Sequence, residues 1–435
     1  MKKNITIYLL LALACLGLQS CLFQEENYFD DSSANRATAD VKRCSELLEA
    51  APNGWVMEYY VGKDYSLGGI TLLCKFDGQR VTMASQIAGA DETVSSLYSV
   101  KSEQATMLSF DTYNYLVHYF GQPQGSMADD PNGTLGGDYE FVISDATADR
   151  IELKGKKYGN RIVMKAFSAD QTWKQYLTRI KKVEDDAFFY EYDLRMDGLY
   201  TGQMLRSNYT FIVTYYDEVG KVYQKTVPFM FTTDGMRFHE PVTIDGQTMQ
   251  NFVWKNEEIS FVCTDEGATG VKMKGIYIDG YQSYDYYPGT YLMDFYRLNG
   301  ATNQLEVASQ EIQLVKNEDG KSYWLKGLEY DILVTYDKPR GGLSILPQFL
   351  KKVQGGYVYL AMWDLMNDYV LRSSAIGLIS YPTTDGIYLV DNGVWMGEIS
   401  GFIFGVYDSQ DEEASFMGYT DAVAAIRLIK KTIEE

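Results

Sequence analysis

The sequence predicts a mainly β protein. An N-terminal helix leads into a β-meander, barrel-like or sandwich, which a second helix closes, and a second β-rich domain follows. Three observations carry this reading. Aromatic residues make up 14% of the chain, with 36 Tyr and 20 Phe, which favours strands. Short apolar runs recur between turn signals such as Gly68-Gly69 and Asp77-Gly78. Helical periodicity, by contrast, is confined to the two stretches that bracket the first set of runs. A chain of 435 residues is long for one domain, and 46% hydrophobic content is ample for two cores.

Taken in order, the first helix runs from Ser33 to Ala51, with Val41, Cys44, Leu47 and Leu48 on one face. Pro52-Asn53-Gly54 stops it. Strand-like runs follow at Trp55–Val61, Gly69–Phe76, Arg80–Ser85, Ser96–Lys101 and Met107–Asp111. Tyr113–Phe120 reads as a short helix, and the Gly-, Pro- and Asp-rich stretch from Gly121 to Gly137 as a loop. Strands at Asp138–Ser144, Arg150–Lys154 and Asn160–Phe167 precede the closing helix, Ala169–Glu184. Gly54-Trp55 at the mouth of the first strand resembles the Gly-x-Trp start of calycins, although the spacing differs. The other reading of Trp55 is a core plug. Beyond Phe188 the pattern is strand-like without a long helix, and the last stretch, Ala422–Lys431, fits a helix or a final strand, of which a strand paired back into the sheet is preferred. The predicted domains are therefore 33–186 and 187–435.

The start of the chain gives an address. Lys2 and Lys3 precede an apolar run, Ile5–Leu18, too short for a permanent membrane span, so residues 1–20 read as a secretory signal. Leu18-Gln19-Ser20-Cys21 resembles the lipobox of bacterial lipoproteins, which implies acylation of Cys21 and anchorage to a membrane by its lipid. Residues 21–32 then form a lipidated acidic tether. Its Gln24-Glu25-Glu26 resembles the signal that sends Bacteroidetes lipoproteins to the outer face of the outer membrane; a plain solvated tether is the alternative. The formal charge of −20 opposes nucleic acid and anionic surfaces as partners. Cys44, Cys74 and Cys263 are too scattered for a disulfide framework.

"APNGWVMEYY", "GGITLLCKFDGQRVTMAS", "LSFDTYNYLVHYF" and "GGDYEFVISDATADRIELKGKKYGN" run in that order from Ala51 to Asn160. With the lipobox, they resemble a family of Bacteroidetes surface lipoproteins known as domain of unknown function 4302. The resemblance carries no catalytic residues. It implies an accessory lipoprotein of a nutrient-uptake system, working beside an outer-membrane transporter and its substrate-binding lipoprotein.

Chemistry is sparsely supplied. The two histidines, His118 and His239, are the only bases for a Ser-His-Asp or Cys-His arrangement, and neither G-x-S-x-G nor H-E-x-x-H occurs. His118, among Leu116, Tyr119 and Phe120, reads as a satisfied half-buried residue. Asp129, Asp130, Asn132 and Asp138 offer oxygen ligands but miss the EF-hand frame, so a plain loop is preferred to a calcium site. No catalytic residue, metal or cofactor is assigned. The 59 acidic residues leave a carboxylate-dependent hydrolase open, and an adhesin or structural protein that binds other surface proteins is the third possibility. The candidate ligand site is "DGYQSYDYYPG", where Tyr281, Tyr284, Tyr286 and Tyr287 provide flat apolar surface and hydroxyls suited to a glycan or peptide. A strand packing these rings is the competing reading.

Overall fold

The computed structural model describes residues 32–123, 133–216, 219–411 and 413–431, and these form three successive antiparallel β units. Residues 1–31, on which the expected signal, Cys21 and nearly all of the expected acidic tether fall, lie outside the described residues, as do Asp129, Asp130 and Asn132.

Helix α1 (Ser33–Ala50) is capped by Ser32, whose side chain accepts from the Asn35 N–H. Its apolar face sets Cys44 and Leu48 against the core of the first unit. That unit is a closed barrel of eight strands in sequence order, from Trp55–Val61 to Arg161–Ala166. Pairing of Trp55 with Ala166 brings the last strand back to the first, so the meander is a barrel and not a sandwich. Trp55 is buried and its indole N–H donates to the Leu48 carbonyl at 2.8 Å, which makes it a plug between barrel and helix. Gly54 (φ +83°) is required there, since a Cβ would lie 2.5 Å from the Cys74 carbonyl oxygen. A single turn, α2 (Tyr115–His118), follows the fifth strand.

Helix α3 (Trp173–Asp186) begins with a capping box between Thr172 and Gln175. It serves two units at once. Leu177 packs with Leu73, Ala84 and Phe167 of the first barrel, whereas Ile180 and Val183 belong to the core of the second. The second barrel runs from Glu191–Met196 to Val271–Ile276, again eight strands, closed by Met196 opposite Val271. At the seam, Glu58 of the first barrel binds Lys165 and, across the junction, Arg237 of the second, each at 2.6 Å. Gly68 and Gly69 do more than turn the chain. A Cβ on Gly68 would overlap Tyr209, and one on Gly69 would press on Tyr60 and Met230, so the glycine pair permits the barrels to meet.

The third unit is a twelve-stranded sheet whose first strand, Gly289–Asn299, pairs with its last, Phe416–Lys430. From that last strand the sheet branches through Gly401–Tyr407 and Gly356–Asp364 to the edge strand Gln348–Val353. The stretch 187–435, read from sequence as one β-rich domain, thus carries two sheets with separate cores. The connector at 277–288 is short, and its turn residues Asp279-Gly280 and Pro288 resemble those of the ordinary hairpins around it.

Candidate functional site

The tyrosine segment is that connector, and three of the four candidate rings pack against the fold. Tyr287 is 0% exposed and its hydroxyl donates to the Gly341 carbonyl at 2.8 Å. Tyr284 stacks on Tyr323 (4.7 Å between centroids, 24°) and donates to the Ser322 carbonyl at 2.9 Å. Tyr281 accepts a hydrogen bond from the Tyr336 hydroxyl at 3.0 Å and stacks on Phe188, which follows α3. Gly341 (φ +60°) makes room, because a Cβ there would lie 2.6 Å from the Tyr281 ring. Of the four, Tyr286 alone is exposed, at 38%. The four residues expected to make a ligand surface, Tyr281, Tyr284, Tyr286 and Tyr287, are thus not equivalent: Tyr287 has no exposed face, Tyr281 and Tyr284 are half-buried, and Tyr286 stands open to solvent. A fully buried ring such as Tyr287 cannot stack on a ligand, and the hydroxyls of Tyr284 and Tyr287, which donate to the Ser322 and Gly341 carbonyls, fix the connector to the third sheet.

The two histidines are also engaged. Asn114 N–H donates to His118 Nδ1 at 3.2 Å, and the imidazole stacks on Tyr139 at 4.7 Å. His239 sits at the seam between the barrels, 4.2 Å from both the Tyr60 and the Tyr65 rings. Burial holds its pKa below the ordinary imidazole value, ahead of the opposing influence of Glu240. Beside it lies a cleft of about 360 Å³ bordered by Asp64, Tyr65, Arg161, Lys225 and Glu240. Asp64 and Tyr65 both hold left-handed backbone (φ +54° and +59°), which stores strain at the lip of this cleft. The cleft mixes both signs of charge, and its histidine is clamped between rings that hold the barrels together. Asp138 is buried, with its two carboxylate oxygens accepting from the N–H groups of Lys157 (2.7 Å) and Tyr158 (3.1 Å), so it caps a turn. Among the described residues no group of three or more His, Cys, Asp or Glu side chains is placed to hold a metal ion. Cys44, Cys74 and Cys263 are buried free thiols, and burial pushes Cys263 up to about 11.

The site that presents aromatic chemistry to solvent lies elsewhere, on the outer face of the third sheet. The alternation of Gly356–Asp364 turns Val358 and Leu360 into the core and Tyr357 and Tyr359 outward. Phe349, on the neighbouring edge strand, is 45% exposed and meets Tyr359 at 5.4 Å and 61°. Two short strands, Gln348–Val353 and Tyr369–Leu371, pair end to end with the same side of Gly356–Asp364. A groove of about 510 Å³ opens where they part, bordered by Phe349, Tyr359, Arg372, Ser373, Ser374 and Gln410. The Arg372 guanidinium lies over Tyr359 (4.8 Å) and Tyr407 (4.2 Å) and donates to the Asp411 carbonyl, so it is a fixed wall of the groove. Gln348 is consumed by the fold: its amide accepts from Leu333 N–H and donates to Leu333 C=O. The side chains of Ser373, Ser374 and Gln410 are exposed and have no protein partner among the described residues. Sequence reading missed this site because its rings and polar groups come from three separated segments. The alternation of "QFLKKVQGGYVYL" was the one local signal.

No helix among the described residues is long and apolar enough to cross a membrane. No curated protein matches the sequence. A crystal structure of a protein of unknown function from the DUF3598 family of Nostoc punctiforme is 7% identical, covering 57% of this chain and 99% of its own, with a TM-score of 0.15. The structure of intact Ap-TbpB, N and C lobes, is 10% identical, covering 84% of this chain and 67% of its own, with a TM-score of 0.14. At such scores neither likeness bears on fold or function. A domain of unknown function, DUF4987, matches residues 264–403, which take in the end of the second barrel and most of the third sheet. The match of DUF4302, likewise a domain of unknown function, spans residues 25–256 and reaches well beyond the Ala51–Asn160 motifs into the second barrel; the chain belongs to the DUF4302 family.

Proposed function

We propose that this protein is a lipid-anchored binding protein of the outer cell surface, of Bacteroidetes type, serving as an accessory to an outer-membrane nutrient-uptake system. In this reading Cys21 carries the lipid, the mature chain faces the exterior, and a glycan or peptide nutrient is bound and left chemically unchanged. The partners are an outer-membrane transporter and its substrate-binding lipoprotein. The observation that supports binding is the groove at Phe349, Tyr359 and Arg372, where apolar ring surface and unengaged polar side chains lie together at the scale of small-ligand sites, about 300–1,000 Å³.

A second reading, an interaction protein that docks other surface proteins, has its own supporting feature. The turn and short strand at 365–371 and the loop at 392–400 hold Met366, Tyr369, Val394 and Met396 in solvent. The buried Asp364 carboxylate, accepting from Asn367 and the Trp395 indole, braces them. Labelling with a fatty acid, protease shaving of intact cells and incubation with glycan and peptide arrays test the proposal together. Acylation lost in Cys21→Ala, cleavage of the wild-type chain from whole cells and intact bound ligand are the expected results. Unchanged lipid incorporation in Cys21→Ala removes the anchor. A cleaved ligand replaces binding with hydrolysis, and capture of a surface protein without any array signal favours the docking reading.

A further inference from the structure

We infer that the third-sheet groove takes an uncharged sugar, one or two units long, with a sugar ring stacked on Phe349; this rests on the binding reading above and names its ligand class. The first argument is the chemistry of the wall. A sugar ring offers an apolar face of C–H groups and a rim of hydroxyls that donate and accept. Phe349 provides an exposed ring face, and Ser373, Ser374 and Gln410 provide groups that likewise both donate and accept.

The geometry sets the length. Phe349 and Tyr359 meet at 61°, and Tyr359 and Tyr407 at 86°, so neighbouring rings turn edges to one another and form no flat run. One accessible ring face holds one sugar ring, and the groove of about 510 Å³ leaves room for a second. A long polymer would need coplanar rings repeated along its path, which this face does not have.

Charge and backbone weigh against the main competitors. The chain carries a formal charge of −20, which repels an acidic glycan over distance. Arg372 is spread over two aromatic faces and bonded to the Asp411 carbonyl, which fixes its guanidinium as part of the wall. An extended peptide would add itself to the edge strand Gln348–Val353. That edge has a register break between Phe349 and Lys351, and Lys351 and Lys352 project from it, features that discourage strand addition.

The test is calorimetry on the full mature chain with maltose, cellobiose, mannobiose and xylobiose as neutral probes. A uronic-acid disaccharide and a peptide library serve as controls. The expected result is that at least one neutral disaccharide binds with little dependence on salt. Phe349→Ala should then weaken that binding about tenfold or more, and Gln410→Ala by a smaller factor. Melting temperatures unchanged in both variants show that folding is not the cause, since both side chains lie at the surface. Neutral sugar binding that survives both substitutions places the ligand elsewhere and overturns this inference while the binding reading stands. Tighter binding of the uronic acid, or binding of peptide alone, overturns the ligand class. No binding of any probe overturns the inference and the binding reading together.

Discussion

The connector at 277–288 and the outer face of the third sheet are both dense in aromatic rings, but they dispose of them differently. In the connector, the hydroxyls of Tyr284 and Tyr287 end on the carbonyls of Ser322 and Gly341, and the rings lie against Tyr323 and Tyr336. At the groove, Phe349 has no hydroxyl to satisfy and stands 45% exposed beside serines and a glutamine that the fold leaves unengaged. Tyrosine density measures neither exposure nor function. Exposure of the ring face, more than the destination of the hydroxyl, separates the two regions, since the Tyr359 hydroxyl at the groove also donates to a backbone carbonyl, that of Gln410.

The largest expected effect is on the connector. Tyr287→Ala removes a fully buried ring and should cost about 3–5 kcal/mol of stability in denaturant melts, with binding retained by the protein that remains folded. A stable variant that has lost binding would reverse the two regions' roles.

The seam between the barrels tests whether buried polar contacts elsewhere behave as the connector's do. Burial pushes the Glu58 carboxyl up, but the hydrogen bonds and charges of Arg237 and Lys165 together outweigh it and leave the group below its ordinary value. Glu58→Gln should cost about 1.5–3 kcal/mol at neutral pH. Because the folded pKa is depressed, the contribution is present above the unfolded pKa and is lost as pH falls through the folded one. Melts of the wild type should therefore lose stability on acidification through that window, and Glu58→Gln should show a shallower loss. Identical pH profiles would remove the carboxylate from the account.

Smaller still is Tyr287→Phe, which keeps the ring and deletes one hydrogen bond to Gly341. About 0.5–1.5 kcal/mol is expected from the same melts. A loss as large as that of the alanine variant would mean the hydroxyl, not the packing, holds the connector. The least effect on stability belongs to Phe349→Ala, within about 0.5 kcal/mol, because the ring is partly solvated already. A large destabilisation there would turn Phe349 into a packing residue and abolish the contrast.

Much of the fold was legible because local pattern decides it. Both long helices were read in place, but the capping box of Thr172 with Gln175 went unread, so the expected start at Ala169 lies ahead of the observed one at Trp173. Regular strand and turn spacing from Trp55 to Phe167 signalled the meander, and the last strand, Phe416–Lys430, was read in kind although its start lies earlier than expected. The partition of 187–435 was not legible. Barrel closure depends on pairs distant in sequence, such as Met196 with Val271, and the connector carries no breaker distinct from ordinary turns. The role of Gly68-Gly69 was half legible. The pair reads as a turn, and only the approach of Tyr209 and Met230 shows why a side chain is excluded. The groove escaped for the same reason as the closures: Phe349, Tyr359 and Arg372 come together through strand pairing, and no short motif contains them.

The claim that the groove and not the connector receives ligand is tested most directly by hydroxyl-radical footprinting of the full mature chain, read by peptide mass spectrometry with and without a saturating neutral disaccharide. Protection should fall on Phe349 and Tyr359, with Tyr281, Tyr284, Tyr286 and Tyr287 unchanged. Protection of Tyr286 and its neighbours, with Phe349 still oxidised as in the free protein, would contradict it.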